Sequence, residues 1–542
     1  MTPPRHIDDA VDVIVIGAGA SGSVAVQELA RAGMSVVCLE QGEWTHRADF
    51  PGERPEWELV AQHRWHANPN VRAGPADYPI NATDSDVDPL MYAGVGGSTV
   101  LYAANWVRFV PADFRVRTLD GVADDWPLTY EDLAPYYERT ERDMAVSGLA
   151  GDPAYPPGAP PPLPPLPIGK IGRKGAQGLD RLGWHWWPGS NAIAARAYRG
   201  LQPCVRQGTC MTGCPHGAKA STDLTHWPDA LHHGATLVTG ARVREITVDR
   251  RGRATGALYV DRAGREHFQA GASVVVAANG VGTARLLLLS RSQLFPDGLA
   301  NGSGLVGRRL MMHPFAAVIG HYDEPLESWM GPAGQTIQSM QFYETDTSRG
   351  FVRGAKWNIL PTGGPLGVRW AEGDRPVGET WGSNFHEVVA RGLGRSFQWG
   401  VMAEELPDEA NRITLDATLT DSDGIPAPRV VYRTSANSQA ILDYHVARVR
   451  EAHEAAGAVA MTTRTMRDCG WHLLGTARMG EDPQSSVVDP WGRAHEVPNL
   501  YVIDGSIFVT SSAMNPTATI MALALRCVER IIDERRIHED PR

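Results

Sequence analysis

The chain has little of what a nucleic-acid-binding, disulfide-stapled or membrane-spanning protein needs. Its 542 residues carry 51 Lys and Arg against 62 Asp and Glu, a net charge of −11, so no cationic surplus exists to neutralise phosphates and no nucleic-acid partner is expected. Six cysteines over this length exclude a disulfide framework. No uninterrupted apolar run reaches the roughly 18 residues of a membrane-crossing helix. The opening residues, MTPPRHIDDAVDVIVIG, lack both a basic stretch leading into an apolar run with a cleavage site and a twin-arginine pair. These absences predict a soluble, cytoplasmic protein without a membrane span.

What is plentiful is glycine and proline, 57 and 39 residues, which predicts many turns and long connections. At roughly 150 residues per domain the length allows two to four lobes. Residues 11–16, VDVIVI, read as a buried strand, 21–32 as a helix and 35–39 as a second strand: a βαβ unit, and therefore a parallel sheet. Residues 151–167, GDPAYPPGAPPPLPPLP, read as an extended connector. Residues 235–248, 256–262 and 273–278 read as strands and 282–291 as a helix. The stretch 320–465 has a different character, with an extended segment at 429–433 and an amphipathic helix near 437–456. It is expected to form a substrate-facing lobe. A strand and turn at 499–508 then lead into a helix over 516–534.

The turn after the first strand reads Gly17-Ala18-Gly19-Ala20-Ser21-Gly22, a GxGxxG pattern that opens a helix, with the acidic Glu40 ending the next strand. Gly17 permits the tight turn, Gly19 lets the backbone approach a pyrophosphate, and Gly22 lets helix and strand pack closely. The helix start, with Ala20 and Ser21, offers free N–H groups to the phosphates, and Glu40 can accept from ribose hydroxyls. The motif alone does not choose between FAD and NAD.

Further segments narrow the choice. Gly94-Val95-Gly96-Gly97-Ser98-Thr99 is a second glycine-rich loop. Asn105-Trp106, Trp126-Pro127-Leu128 with Tyr136-Tyr137, Ala277-Ala278-Asn279-Gly280 with Thr283 and Leu286, the run HLLGTARMG from His472 to Gly480, Asp504-Gly505-Ser506 and Asn515-Pro516-Thr517 follow in order. In this order the chain resembles the glucose–methanol–choline (GMC) oxidoreductases from about residue 10 onward, nearest to bacterial sugar and polyol dehydrogenases and to pyranose oxidases.

The resemblance implies an α/β fold (α+β overall). A Rossmann-type FAD-binding domain is assembled from 1–150, 191–319 and 466–542, with a Pro-rich connector over 151–190. A substrate domain over 320–465 carries an antiparallel sheet covered by helices. It implies FAD held by the 17–22 turn and Glu40, by Gly96, Gly97, Ser98, Val100 and Asn105, by Val243 and Ala278, and by Asp504, Gly505, Pro516 and Thr517. Val100 stands where some pyranose oxidases carry a His bonded to the flavin, so non-covalent FAD is expected.

Oxidising an alcohol removes an O–H proton and a C–H hydride. Flavin N5 accepts the hydride, and a neutral imidazole suits the proton. The resemblance assigns that base to His472 and its partner to Asn515, whose amide would hold the substrate oxygen. Asn515-Pro516 also reads as an N-cap with Pro at the first helical position. His185, His216, His226 and His313 have no comparable context and read as surface or structural.

Cys204-x5-Cys210-x3-Cys214 lies in a Gly- and Pro-rich loop. Such spacing suits an iron–sulfur cluster or zinc, a set of buried thiols, or one disulfide with a free thiol. In membrane-linked relatives within the family a similar arrangement holds a 3Fe–4S cluster that passes electrons to a cytochrome, which makes an electron-acceptor protein a candidate partner. Trp184, Trp186, Trp187, Trp329, Trp357, Trp370, Trp381 and Trp399 could stack on sugar faces, although most are expected in the core. The expected substrate is a hydroxyl of a sugar, polyol or glycoside. The alternatives are a non-sugar alcohol, or a lyase that uses FAD only structurally.

Overall fold

The apolar run Val11–Ile16 is a parallel strand between Val36–Leu39 on one side and Glu266–Val276 on the other. The computed structural model describes residues 10–366, 382–383 and 385–539, so Trp370 and Trp381 lie outside the described residues. The first sheet has the order Thr236–Val238, Val36–Leu39, Val11–Ile16, Glu266–Val276, Ala254–Val260, Arg242–Val248, and Leu500–Val502 also pairs with Glu266–Val276. Its outer three strands form an antiparallel meander, while the βαβ part is parallel. The single strand expected over 235–248 is two. The chain turns at Gly240 (φ +65°), and the N–H groups of Gly240 and Ala241 bond back to the carbonyls of Gly42 and Glu40. The helix Ala20–Arg31 packs against the C-terminal helix Thr517–Glu539.

A second sheet is antiparallel throughout, in the order Ala460–Met466, Phe315–His321, Ser396–Ala403, Ala355–Pro361, Ile337–Ser339, Trp187–Pro188. Strand alternation splits its two faces. Trp357, Ile359, Trp399 and Val401 join a buried cluster with Leu179 of helix Gly169–Leu182 and Ile441 of helix Ala436–Ala455. Asn358, Leu360, Gln398 and Met402 point the other way, into a cavity. Residues 151–167 contain no helix or strand. The rest of the expected connector does: Gly169–Leu182 lies on helix Ala436–Ala455, and Trp187–Pro188 is an edge strand, so both belong with the second sheet. Among the described residues no helix is long and apolar enough to cross a membrane.

Candidate active site

A cavity of about 420 Å³ is bordered by both sheets. Gly17, Gly19, Ala20, Ser21 and Glu40 border it from the βαβ turn, and Gly97, Ser98 and Asn105 from the second glycine-rich loop. Val243, Ala278, Asp504 and Gly505 contribute from strand ends, and Asn515, Pro516 and Thr517 from the start of the C-terminal helix. Gly22, Gly96 and Val100 do not border it. Gly22 lies against the Gly17 carbonyl, where a Cβ would sit 2.0 Å from the oxygen. Val100 is buried, and its carbonyl accepts from Lys219 Nζ at 2.7 Å.

These residues fit a dinucleotide. The helix Ala20–Arg31 starts at Gly19 with no side-chain cap, leaving its first N–H groups free for phosphate. The two glycine-rich turns touch: a Cβ on Gly97 would come within 2.6 Å of Gly19 Cα. Asn105 Oδ1 is buried without a partner. Glu40 braces its own loop, accepting from Ala18 N through Oε2 and from Gly42 N through Oε1, both at 2.8 Å. The Gly94 N–H is a third backbone donor to this carboxylate, which leaves about one of its four lone-pair sites for a ligand.

At the far side an antiparallel bridge between Met311 and Leu474 sets residues 313 and 472 opposite each other. His313 Nδ1 and His472 Nδ1 lie 2.7 Å apart, with the rings edge-to-face at 82°. His313 Nε2 lies 2.7 Å from the Ser512 carbonyl. A carbonyl only accepts, so His313 carries its proton on Nε2 and its Nδ1 is a lone pair. His472 must then donate from Nδ1, which leaves its Nε2 basic. Burial, His313 and Lys356 hold the His472 pKa well below the imidazole range, and burial lowers that of His313 to about 4. The pair is therefore neutral near pH 7. His313 thus corrects the expectation of a surface or structural histidine: it is buried, borders the cavity and contacts the candidate base. Its pairing with His472 spans 159 residues and leaves no local spacing signal.

Asn515 Oδ1 accepts from Lys356 Nζ at 2.7 Å and from Asn105 Nδ2 at 3.4 Å. His185 bonds to Asp152, and His216 to Gln207. His226 is buried against Thr225, so these three are placed as structural residues. Trp357 and Trp399 are core residues, Trp184 packs on Phe342 and Trp357, and Trp329 is exposed. Among the described residues Trp471, not among those singled out, is the tryptophan that borders the cavity.

The cysteine loop matches one of its alternatives, a set of thiols. Cys204, Cys210 and Cys214 are free thiols, and among the described residues no three His, Cys, Asp or Glu side chains are grouped to hold a metal ion. Cys204 Sγ accepts from Arg206 N and Cys214 Sγ from Ala218 N, each at 3.4 Å. Burial pushes the Cys204 pKa up to about 11 and raises that of Cys210, which favours protonated thiols. The spacing alone does not bring the three sulfurs into a ligand set.

A Rossmann-type turn opening on a cavity with a neutral histidine pair is the arrangement of a dinucleotide-dependent alcohol oxidoreductase. The FAD binding domain model matches residues 10–49, and models of GMC oxidoreductases match 182–315 and 407–524. The chain is 41% identical over 536 residues to 2-methyl-1,2-propanediol dehydrogenase of Mycolicibacterium austroafricanum, covering 96% of this chain and 95% of that protein. It is 32% identical to paromamine 6'-oxidase of Streptomyces fradiae, covering 97% of this chain and 92% of that one. Pyridoxine 4-oxidase from Mesorbium loti shares the fold, with TM-score 0.64, 16% identity, and coverage of 96% of this chain and 99% of that structure. The chain belongs to the GMC oxidoreductase family and is an FAD-dependent oxidoreductase acting on CH–OH donors.

Proposed function

We propose that the chain oxidises one hydroxyl of a compact diol or polyol to a carbonyl, with His472 Nε2 taking the hydroxyl proton and Asn515 holding the oxygen. FAD, when bound, supplies the acceptor for the two electrons. The observation that carries this reading is the proton order from Ser512 through His313, which leaves a base on the cavity side of His472. Around it the lining is mixed: Phe315, Leu360, Met402 and Trp471 are apolar, while Asn358 and Gln398 can bond a second hydroxyl. A small polyol with apolar carbon suits such a lining, and the relative named for 2-methyl-1,2-propanediol agrees with it. Of the tryptophans that suggested sugar stacking, Trp184, Trp186, Trp187, Trp329, Trp357 and Trp399 do not border the cavity.

The test is anaerobic mixing with a panel of 1,2-diols, polyols and sugars while the visible flavin spectrum is followed. Diols and small polyols are expected to bleach it fastest. His472→Ala should retain FAD and slow bleaching by about a hundredfold or more. Bleaching at the parent rate, or by no member of the panel, would contradict the reading.

We further propose that the FAD is not covalently held, because Val100 offers no nucleophile. Acid precipitation is expected to leave yellow flavin in the supernatant, and colour in the pellet would refute this. An electron-acceptor protein is the partner this reading allows. One equivalent of hydrogen peroxide per substrate in air would make it unnecessary.

A further inference from the structure

We propose that Lys356 is a positioning residue for the reaction: its Nζ holds the Asn515 carboxamide with the oxygen turned inward and the NH2 presented to the substrate. This rests on the role given above to Asn515. Lys356 is fully buried, and its Nζ donates to Asn515 Oδ1 at 2.7 Å and to Gln335 Oε1 at 2.9 Å. A lysine nitrogen has no acceptor role to offer an amide N–H when charged, so the atom facing it is the amide oxygen. Asn105 Nδ2 donates to that same oxygen. Two donors on one side leave Asn515 Nδ2 free of protein acceptors among the described residues, at a position that borders the cavity. With the amine charged, reversing the amide would set its NH2 against a donor that has no lone pair to offer.

Burying this amine is costly, and no carboxylate pairs with it among the described residues. Burial lowers its pKa to about 7. Both Nζ bonds survive the loss of a proton, because the neutral amine keeps two N–H donors. A methionine would fill the space without the desolvation, so packing does not account for the lysine. The strand Ala355–Pro361 explains its aim: Lys356 shares a face with Asn358 and Leu360, both of which border the cavity, while Trp357 and Ile359 face the core.

The test compares Lys356→Met, Asn515→Ala and the double variant as purified holoenzymes, by flavin content, melting midpoint and the rate of flavin reduction. Lys356→Met is expected to keep its FAD and midpoint, to lower kcat about tenfold or more and to move KM by less than about threefold. In the Asn515→Ala background the same change should add no further loss, because the lysine acts through the amide. Losses that multiply in the double variant, or a Lys356→Met rate equal to the parent's, would overturn the proposal. So would loss of FAD in Lys356→Met, which would make the residue structural. If Lys356→Met does not fold, the same cycle is run with Lys356→Leu, which likewise lacks a donor, and judged by the same criterion. An unimpaired Asn515→Ala would instead sink the role of Asn515 and the proposal with it. An impaired Asn515→Ala beside an unimpaired Lys356→Met would sink the proposal alone.

Discussion

Ser512 sits in the left-handed backbone region at φ +55°, fully buried, where its carbonyl meets His313. A non-glycine residue persists there only when its surroundings hold it. Tyr343 OH shares a hydrogen bond with Ser512 Oγ at 2.9 Å and donates to Asp113, which pairs with the buried Arg353. The strain is thus anchored in an ionic cluster, and its effect is to choose the basic nitrogen of His472. His313→Leu is expected to keep FAD and KM but slow flavin reduction about tenfold to a hundredfold, since His472 loses the acceptor that fixes its tautomer. Stopped-flow rates within twofold of the parent would count against this. Gly17 to Gly22 and Glu40 were legible in the sequence because they sit in short runs whose chemistry is local, whereas His472 and Asn515 were picked out by the family resemblance. His313 and Lys356 were not legible, because their meaning depends on partners 159 residues away in each case.

Gly178 lies where the helices Gly169–Leu182 and Ala436–Ala455 meet. A Cβ there would sit 2.4 Å from the Ala452 carbonyl oxygen. Helix propensity alone would make alanine the better residue by about 1 kcal/mol. The clash is with backbone, which cannot step aside, and overpacking of this kind costs about 1–3 kcal/mol. Gly178→Ala is therefore expected to destabilise, read as a lower denaturant midpoint at unchanged slope; a higher midpoint would show that the helices can part freely. This helix was hidden behind its proline-rich approach, and three interior glycines weakened its helical reading. The strand Ala355–Pro361 carried a clearer signal: its alternation put Lys356 on the face of Asn358, a pattern that could have nominated the lysine.

Burial also sets how the whole molecule responds to acid. His226, His313, His445, His453 and His472 are all held below the ordinary imidazole pKa, to about 4 for His226, His313 and His453 and about 3 for His445. The unfolded chain titrates these groups near about 6.5. As pH falls from there towards 4 the unfolded state binds more protons, so stability falls. Glu404 and Glu405, pushed up to about 7 by burial, have the opposite sign: the folded chain keeps protons that the unfolded one releases above about 4.5. Burial raises Glu40, Asp113, Asp223, Glu344 and Asp504 in the same direction, so the histidines are the part of the balance through which acid destabilises. In His445→Gln the melting midpoint is expected to lose less between pH 7 and pH 5 than in the parent, and an equal or larger loss would contradict this assignment.

The strand Glu266–Val276 has Val11–Ile16 and Leu500–Val502 for neighbours, so its partners come from distant stretches of chain on either side. Asp504, Gly505 and Asn515 to Thr517 leave the ribosome only after everything from Val11 to Val502 has been made. A nascent chain therefore contains the first glycine-rich turn long before it owns the opposite wall. The cavity has both of its walls only once residues 504–517 have been made.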